Sequence, residues 1–139
     1  MFEKILVAND GSESAFRALS LAVAIARQNR SELHMVCVEE APYESELIEE
    51  VRETTGAAAR RFHDVVERSR AMAEAGQISL ETHTIVGHPV RVIVQLAADL
   101  RIGLLVIGAH GRSALYERMI GSRADRIIHL APCPVLIAK

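Results

Sequence analysis

The sequence has no lysine between Lys4 and Lys139. The phosphate-binding loop of many nucleoside triphosphatases, G-x-x-x-x-G-K-[ST], depends on a lysine that follows a glycine-rich turn. No segment of this sequence matches that pattern. We therefore do not expect a fast nucleoside triphosphatase.

Cysteine is also scarce, with two in 139 residues. Cys37 lies within an apolar run and Cys133 lies between two prolines, and neither belongs to a C-x-x-C pair. Free cysteine often behaves as a small buried hydrophobe, so we expect two buried, reduced thiols and not redox or metal-binding groups. We also expect no zinc site, because no histidine is expected one helical turn from another ligand.

Neither sign of charge dominates the sequence, since Lys and Arg number 16, Asp and Glu number 18, and the formal net charge is -2. This balance gives no electrostatic reason to expect nucleic acid or an anionic membrane as a partner. Apolar runs such as residues 103–108 are far shorter than the roughly 18 residues that cross a bilayer. Residues 1–7 do not resemble a signal peptide, so we expect a cytoplasmic protein without a membrane span.

Half of the residues are hydrophobic, which is enough for a full core, and we expect one domain over residues 1–139. Apolar positions at three- and four-residue steps predict helices, and short apolar runs between them predict strands. The predicted strands are residues 4–8, 33–38, 78–86, 103–108 and 134–138. The predicted helices are residues 12–29, 47–72, 89–100 and a segment that ends near residue 130.

The alternation of five strands with four helices predicts an α/β fold with one doubly wound parallel sheet. Thr82 and Thr84 interrupt the third apolar run, which suits a half-exposed edge strand. Ligands of doubly wound sheets bind outside the carboxyl ends of the strands, where the strand order reverses. The turns after the first and fourth strands are therefore the predicted functional region.

Glycines cluster after the fourth strand, at Gly108, Gly111 and Gly121, and Ser122 follows the last of them. Glycine lets main-chain amides approach a ligand, and a helix N-terminus offers unpaired N–H groups with a partial positive charge. This chemistry suits a phosphate. The alternative is structural: the first two glycines make a loop, and Gly121 with Ser122 caps a helix. Local composition does not decide between the two interpretations.

The spacing of these residues resembles that of a known family. Gly108-x-x-Gly111, nine residues and then Gly121-Ser122 match the G-x-x-G-x9-G-[ST] signature of the ATP-binding branch of the universal stress protein family. Residues 4–13 resemble the family's first strand and acidic turn, residues 87–89 its third turn, and residues 131–137 its terminal strand. The resemblance covers essentially the whole chain.

The resemblance implies a Rossmann-like domain of the adenine nucleotide alpha hydrolase type, homodimeric through its C-terminal strand. Such a domain retains ATP, or ADP or AMP, with Mg²⁺ held by the phosphates, and acts in stress signalling through partner proteins. Carried over by position, the nucleotide site consists of Ala8, Asn9 and Val38 at the base, Asp10 at the ribose or base, Gly108, Ala109, His110, Gly111 and Arg112 at the ribose and α-phosphate, and Gly121, Ser122 and Arg123 at the β- and γ-phosphates.

The sequence departs from the family pattern at four positions. The family usually has proline at the position of Ala8 and an apolar residue at that of Asn9. It has Ser or Thr at the position of Ala109, and often glycine at that of Ala114. None of these changes removes a phosphate contact. One hypothesis is that the Asn9 side chain hydrogen-bonds the base and alters nucleotide preference.

Several roles stay open at this stage. Asp10 is either a ligand for the nucleotide or an ordinary turn residue. His110 is either a general base or a solvent-facing loop residue, and Arg112 and Arg123 either pair with phosphate or face water. We favour an ATP-responsive signalling module, with a slow ATPase and a dimerisation module without nucleotide as the alternatives.

Overall fold

The computed structural model describes residues 2–40, 56, 59–110 and 120–139. Its five strands are β1 (Lys4–Ala8), β2 (Glu32–Glu40), β3 (Leu80–Gly87), β4 (Leu104–Gly108) and β5 (Val135–Ala138). They form one parallel sheet in the order β3-β2-β1-β4-β5. The order reverses between β1 and β4, so the predicted doubly wound α/β fold is confirmed. β3 lies at one edge, as its threonines predicted, and β5 lies at the other.

Four helices within the described residues accompany the sheet: α1 (Glu13–Asn29), α2 (His63–Ala75), α3 (Pro89–Asp99) and α4 (Ser122–Leu130). Ser12 caps α1, and its Oγ accepts a hydrogen bond from the amide of Ala15 at 3.2 Å. α1 ends at Arg30, which adopts the left-handed conformation with φ of 55°. α3 begins with Pro89, whose missing amide costs nothing in a first turn. Among the described residues, none of the helices combines the length and apolarity needed to cross a membrane.

Side chains alternate along the strands and build a separate core on each face of the sheet. The core under α1 and α2 includes Ile5, Val7, Phe16, Leu19, Met35 and Phe62. The core under α3 and α4 includes Leu6, Val36, Val90, Ile93, Leu105 and Ile127. Two covered faces explain why β1 is apolar from Ile5 to Ala8 and β4 from Leu104 to Gly108.

The structure corrects three sequence-based expectations. β2 is predicted to end before Glu39, but Glu39 and Glu40 pair with β3, because ladder hydrogen bonds join main chains whatever the side chains are. α2 extends to Ala75, past its predicted end, while most of the predicted helix before residue 59 lies outside the described residues. Cys37 is buried as expected, but Cys133 is only half-buried, and that partial burial raises the pKa of its thiol.

Candidate functional site

The turns after β1 and β4 meet at the carboxyl end of the sheet. The hydroxyl of Ser14, in the first turn of α1, accepts a hydrogen bond from the amide of His110 at 3.3 Å. Ser14 also fills the space beside Gly108, the last residue of β4. The two predicted regions therefore form one site at the point where the strand order reverses.

The turn between β1 and α1 satisfies its hydrogen bonds from within. The amide of Gly11 donates to Asn9 Oδ1 and the amide of Ser12 donates to Asp10 Oδ1, both at 2.9 Å. Gly11 has a φ of 86°, a conformation that glycine adopts without steric cost. Asp10 thus has the turn role that the sequence left open. A carboxylate accepts several hydrogen bonds, so Asp10 retains capacity for a ligand.

The side chain of Asn9 lies in the core, with 2% of its surface exposed. Its Nδ2 donates to Ser69 Oγ at 3.2 Å and contacts Met35 Sδ at 3.5 Å, and its Oδ1 accepts from the turn. Both ends of the amide therefore have partners within the chain. This geometry does not support the hypothesis that the Asn9 side chain reads the base. Instead, Asn9 joins the end of β1 to α2.

Ala109 ties the end of β4 to the start of α4. Its carbonyl accepts a hydrogen bond from the amide of Gly121 at 2.8 Å, and its own amide donates to the carbonyl of Ala138 at 3.0 Å. The main-chain groups of Ala109 and the amide of Gly121 are therefore used within the protein. Gly121 can serve a ligand through its missing side chain and not through its N–H group.

Gly108 and Gly121 differ in what their surroundings demand. A Cβ atom at Gly108 would lie 2.4 Å from Ser14 Oγ and 2.8 Å from the Ser14 carbonyl carbon, so the packing of α1 on β4 requires glycine there. A Cβ atom at Gly121 would meet the carbonyl oxygen of Ala109 at 3.5 Å, an ordinary contact. The φ of Gly121 is -61°, which any residue adopts. The described part of the fold does not require glycine at position 121.

Gly121 is the N-cap residue of helix α4, and none of the described side chains caps this helix start. Ser122 and Arg123 occupy the exposed first turn. The N–H groups of a first turn have no acceptor within the helix and carry a partial positive charge, which is the predicted requirement for binding phosphate. The Arg123 side chain pairs with Glu40 at the end of β2 and is 58% exposed, so it faces water in this conformation, which is one of the two roles that the sequence left open.

Ala8 and Val38 lie at the carboxyl ends of β1 and β2. Both side chains pack against the core under α3 and α4, on the opposite face of the sheet from Asn9. They provide apolar surface of the kind that was predicted for a base. Gly111 and Arg112, the remaining predicted site residues, lie outside the described residues, as does Ala114.

A second polar group, on β2 and β3, was not predicted. His34 is 2% exposed, and its Nδ1 lies 3.0 Å from Nε2 of His83 and 3.5 Å from Oε2 of Glu81. Its Nε2 lies 2.7 Å from Oε1 of Glu32. Partial burial is the main cause that lowers the pKa of His83, and the charge of the neighbouring His34 is the second cause. The signal in the sequence is Glu-x-His at residues 32–34 and again at 81–83, because side chains two residues apart share one face of a strand.

The expectation that no histidine lies one helical turn from another possible ligand is wrong, and a further group of possible ligands lies on the strands. His34, Glu81 and His83 bring three ligand atoms within 4.8 Å of one another. On α4, His129 Nε2 lies 3.6 Å from Oδ1 of Asp125, one helical turn away. The helical-spacing criterion could not detect the first group, because its members lie on strands.

Together these features define a doubly wound α/β protein whose candidate site lies at the switch in strand order. A family model described as the universal stress protein family matches residues 1–139. The chain belongs to this family, as its sequence motifs predicted.

Relatives and solved structures agree with this assignment. The universal stress protein YxiE of Bacillus subtilis is 31% identical over 151 residues, covering 100% of both chains. The structure of UspA from Lactobacillus plantarum matches with a TM-score of 0.84 at 25% identity, over 99% of this chain and 98% of that one. A universal stress protein from Archaeoglobus fulgidus, solved in complex with dAMP, matches with a TM-score of 0.67 at 25% identity, over 100% of both chains.

Proposed function

We propose that this chain binds an adenine nucleotide, ATP foremost, between the β1–α1 turn and the start of α4. The observation that carries the proposal is the N-terminus of α4, whose N-cap residue is a glycine that the described fold does not require and which no described side chain caps. Such helix starts bind phosphate through main-chain amides and the helix dipole. The dAMP bound to the Archaeoglobus fulgidus relative supports adenine-nucleotide chemistry on this fold.

The phosphates are held at α4. The amides of Ser122 and Arg123, with the Ser122 hydroxyl, bind the β- and γ-phosphates, and Gly121 lets them approach the backbone. Residues 108–112 bind the ribose and α-phosphate, and for residues 111 and 112 this assignment rests on the family motif alone. Within it Ala109 acts through its small side chain, since both its main-chain groups have partners.

The base and ribose are held at the ends of β1 and β2. Ala8 and Val38 supply the apolar surface on which the adenine ring packs. Asp10 uses one carboxylate oxygen in its turn and accepts a hydrogen bond from the ribose or the base with its remaining capacity. This double role makes Asp10 both a structural and a ligand-binding residue.

Mg²⁺ accompanies the nucleotide through phosphate oxygens and water, which is the ion's usual mode of binding. Among the described residues, the group spaced for a metal lies near the starts of β2 and β3, at the other end of those strands. The sequence also has no phosphate-loop lysine. Hydrolysis is therefore slow or absent, and the chain acts as a nucleotide-responsive module that regulates partner proteins under stress.

The first test is to denature the purified protein and identify any released nucleotide by mass spectrometry. The nucleotide-free protein is then titrated with ATP and with AMP, and a single-turnover assay measures hydrolysis. We expect bound adenine nucleotide, micromolar affinity for ATP and negligible turnover. Absence of both released nucleotide and saturable ATP binding would overturn the proposal.

The variant Ser122→Pro tests the role of α4 directly. Proline is tolerated at the first helical position, and Gly121 already has the extended ψ of 152° that a residue before proline adopts. The substitution removes one amide and one hydroxyl without a helix penalty. We expect ATP affinity to fall by about tenfold, the equivalent of about 1.4 kcal/mol, and AMP affinity to change little. The matched control Ser122→Ala removes the hydroxyl alone and should have the smaller effect.

We also propose that two chains pair through β5. This edge strand carries Val135, Leu136 and Ile137, all half-buried, and Leu130 on the neighbouring α4 is 56% exposed. A bare apolar strand edge favours association. Light scattering at micromolar concentration should give a dimer, and a monomer would contradict the proposal. Leu130→Lys should weaken the dimer more than the control Leu21→Lys, since Leu21 is an exposed leucine on α1, 37% exposed, that lies away from β5 in the sequence.

A further inference from the structure

The two Glu-x-His sequences lie side by side near the starts of β2 and β3. His34 is the direct register partner of Glu81, and His83 lies two residues further along β3. Glu32 precedes His34 by two residues on β2. Because alternate residues share a face, these four polar side chains gather on one patch of the sheet, on the same face as Val36.

The contacts within this patch converge on one nitrogen atom. Nδ1 of His34 faces Nε2 of His83 at 3.0 Å and Oε2 of Glu81 at 3.5 Å. The other nitrogen of His34, Nε2, lies 2.7 Å from the Glu32 carboxylate. A carboxylate only accepts hydrogen bonds, so in its neutral form His34 carries its proton on Nε2 and turns a lone pair on Nδ1 toward His83.

The two imidazole rings meet edge to edge. The two ring planes are inclined by 21°, and the ring centroids lie 5.3 Å apart. The facing nitrogens are 3.0 Å apart, and adding the distance from each nitrogen to its own ring centre gives about the centroid separation. The facing nitrogens therefore point at each other across a single shared proton, which His83 donates. Such a position, between two nitrogen lone pairs and beside a carboxylate, is one that a metal ion takes in place of the proton.

We propose that His34, His83 and Glu81 form a binding site for a divalent transition metal ion of the zinc class, with Glu32 orienting His34. On binding, His83 moves its proton from Nε2 to Nδ1, so both facing nitrogens present lone pairs to the metal. The oxygen of Glu81 is the third protein ligand, and water completes a tetrahedron.

Distances and charge both suit this ion. Two donors about 2.0–2.1 Å from a tetrahedral zinc ion lie about 3.3 Å apart. The two separations from Nδ1 of His34, 3.0 Å to His83 and 3.5 Å to Glu81, fall on either side of that value, and all three ligand atoms lie within 4.8 Å of one another. Glu81 and Glu32 supply two negative charges to match the ion. The contact between Glu32 and His34 is the carboxylate–histidine arrangement that orients metal-binding imidazoles.

The same contacts have a purely structural alternative, in which the partly exposed His83 satisfies the hydrogen bonding of the buried His34. The two interpretations differ in one measurable property. A structural pair has no affinity for metal, whereas a preformed site of two nitrogens and one carboxylate binds one ion per chain. The proposed site is also separate from the nucleotide site, since His34 and Val38 are four residues apart on one strand, about 13 Å.

The test uses the untagged, metal-free, full-length chain. Titration with Co²⁺ is followed by visible absorption, and Zn²⁺ is then added as a competitor. We expect one Co²⁺ per chain, with the strong bands of a tetrahedral nitrogen and oxygen environment, and displacement by Zn²⁺. Zn²⁺ should also raise the thermal unfolding midpoint, because it binds the folded chain.

Variants show whether these residues hold the ion. His83→Gln should reduce Co²⁺ affinity at least tenfold, and the control His63→Gln, at an exposed histidine on α2, should leave it unchanged. Glu81 is 61% exposed, so Glu81→Gln removes a ligand without disturbing a buried group.

Glu32→Gln should weaken Co²⁺ binding by about tenfold, because His34 then loses the carboxylate that orients its ring. Circular dichroism verifies that each variant is folded.

The proposal is overturned if the wild-type chain shows no saturable Co²⁺ binding, or if His83→Gln and His63→Gln lose affinity equally. Glu81→Gln keeps the test decisive if His83→Gln fails to fold. Ser122→Pro should leave Co²⁺ affinity unchanged, so a failure here is distinguishable from a failure of nucleotide binding.

Discussion

Helices α1 and α4 follow the two adjacent strands at the switch point, yet their N-termini differ. α1 is capped by Ser12 Oγ and carries Glu13 in its first turn. α4 has Gly121 as its N-cap residue, no described side chain caps it, and Ser122 is exposed. The start of α1 is capped by its own side chains, whereas none of the described side chains caps the start of α4.

The comparison separates stabilising glycines from binding glycines. Gly108 and Gly121 belong to one sequence motif, but the packing of α1 explains only the first of them. Functional sites are where we expect residues that lower the stability of the fold and that the fold itself does not require. The predictions below test whether Gly121 is such a residue and whether the α1 start is not.

The largest effect is expected from Gly121→Asp, which gives α4 the cap that α1 already has. The new carboxylate should stabilise the helix by about 0.5–1 kcal/mol. It also places a negative charge where the phosphates bind, and we expect ATP affinity to fall on the order of 100-fold. Calorimetric titration and urea unfolding measure the two effects.

The control for this prediction is Gly121→Ala, which adds only a Cβ in ordinary contact. It should reduce ATP affinity much less than the charged variant does. Unchanged ATP affinity in Gly121→Asp would show that the open start of α4 is not where phosphate binds.

A smaller effect, on stability alone, is expected from Gly108→Ala. The added Cβ would overlap Ser14 Oγ and the Ser14 main chain, and main-chain atoms cannot move aside without shifting α1. We expect a loss of about 2 kcal/mol in the free energy of unfolding, typical of overpacking. Urea unfolding compares it with Gly121→Ala, and equal losses would remove the distinction between the two glycines.

Most of the fold was predictable from the sequence because its signals are local. Apolar runs marked the strands, Ser12 and Pro89 marked helix starts, and the paired threonines marked an edge. Boundaries failed where the backbone ladder continued through polar residues, as at Glu39 and Glu40. Side-chain polarity predicts burial better than it predicts pairing.

The candidate site was less predictable, because its properties depend on partners that are distant in sequence. The family motif located Gly108 and Gly121, but only the position of Ser14 shows why they differ. Asn9 is committed to Ser69, 60 residues away, which no local pattern reveals. The contact of His34 with His83 likewise needs the register of β2 and β3.

Ser12→Ala should have a more modest effect and should fall on stability only. Removing the Oγ that accepts from Ala15 leaves an orphan amide at the start of α1, and loss of an N-cap costs about 1 kcal/mol. ATP affinity should change by less than about twofold, since the cap faces its own helix. A strong loss of ATP affinity would mean that the α1 start also binds the ligand.

The smallest effect concerns how the free energy of unfolding depends on pH through Glu13, in the first turn of α1. A hydrogen bond from Arg68, aided by its charge, lowers the pKa of Glu13 in the folded chain, and Arg68 is itself held 3.7 Å above the Phe16 ring. A lowered folded pKa means that the stabilisation is present above the unfolded value of about 4.5 and is lost as the pH falls through the folded value. Glu13→Gln should therefore lose less stability than the wild type when the pH falls from neutral to acidic. The difference should be small because the Glu13–Arg68 pair is exposed.

Urea midpoints at both pH values measure this difference, and Arg68→Gln should reproduce it. An unchanged pH dependence in both variants would show that the capping hydrogen bonds close the start of α1 without help from this ion pair.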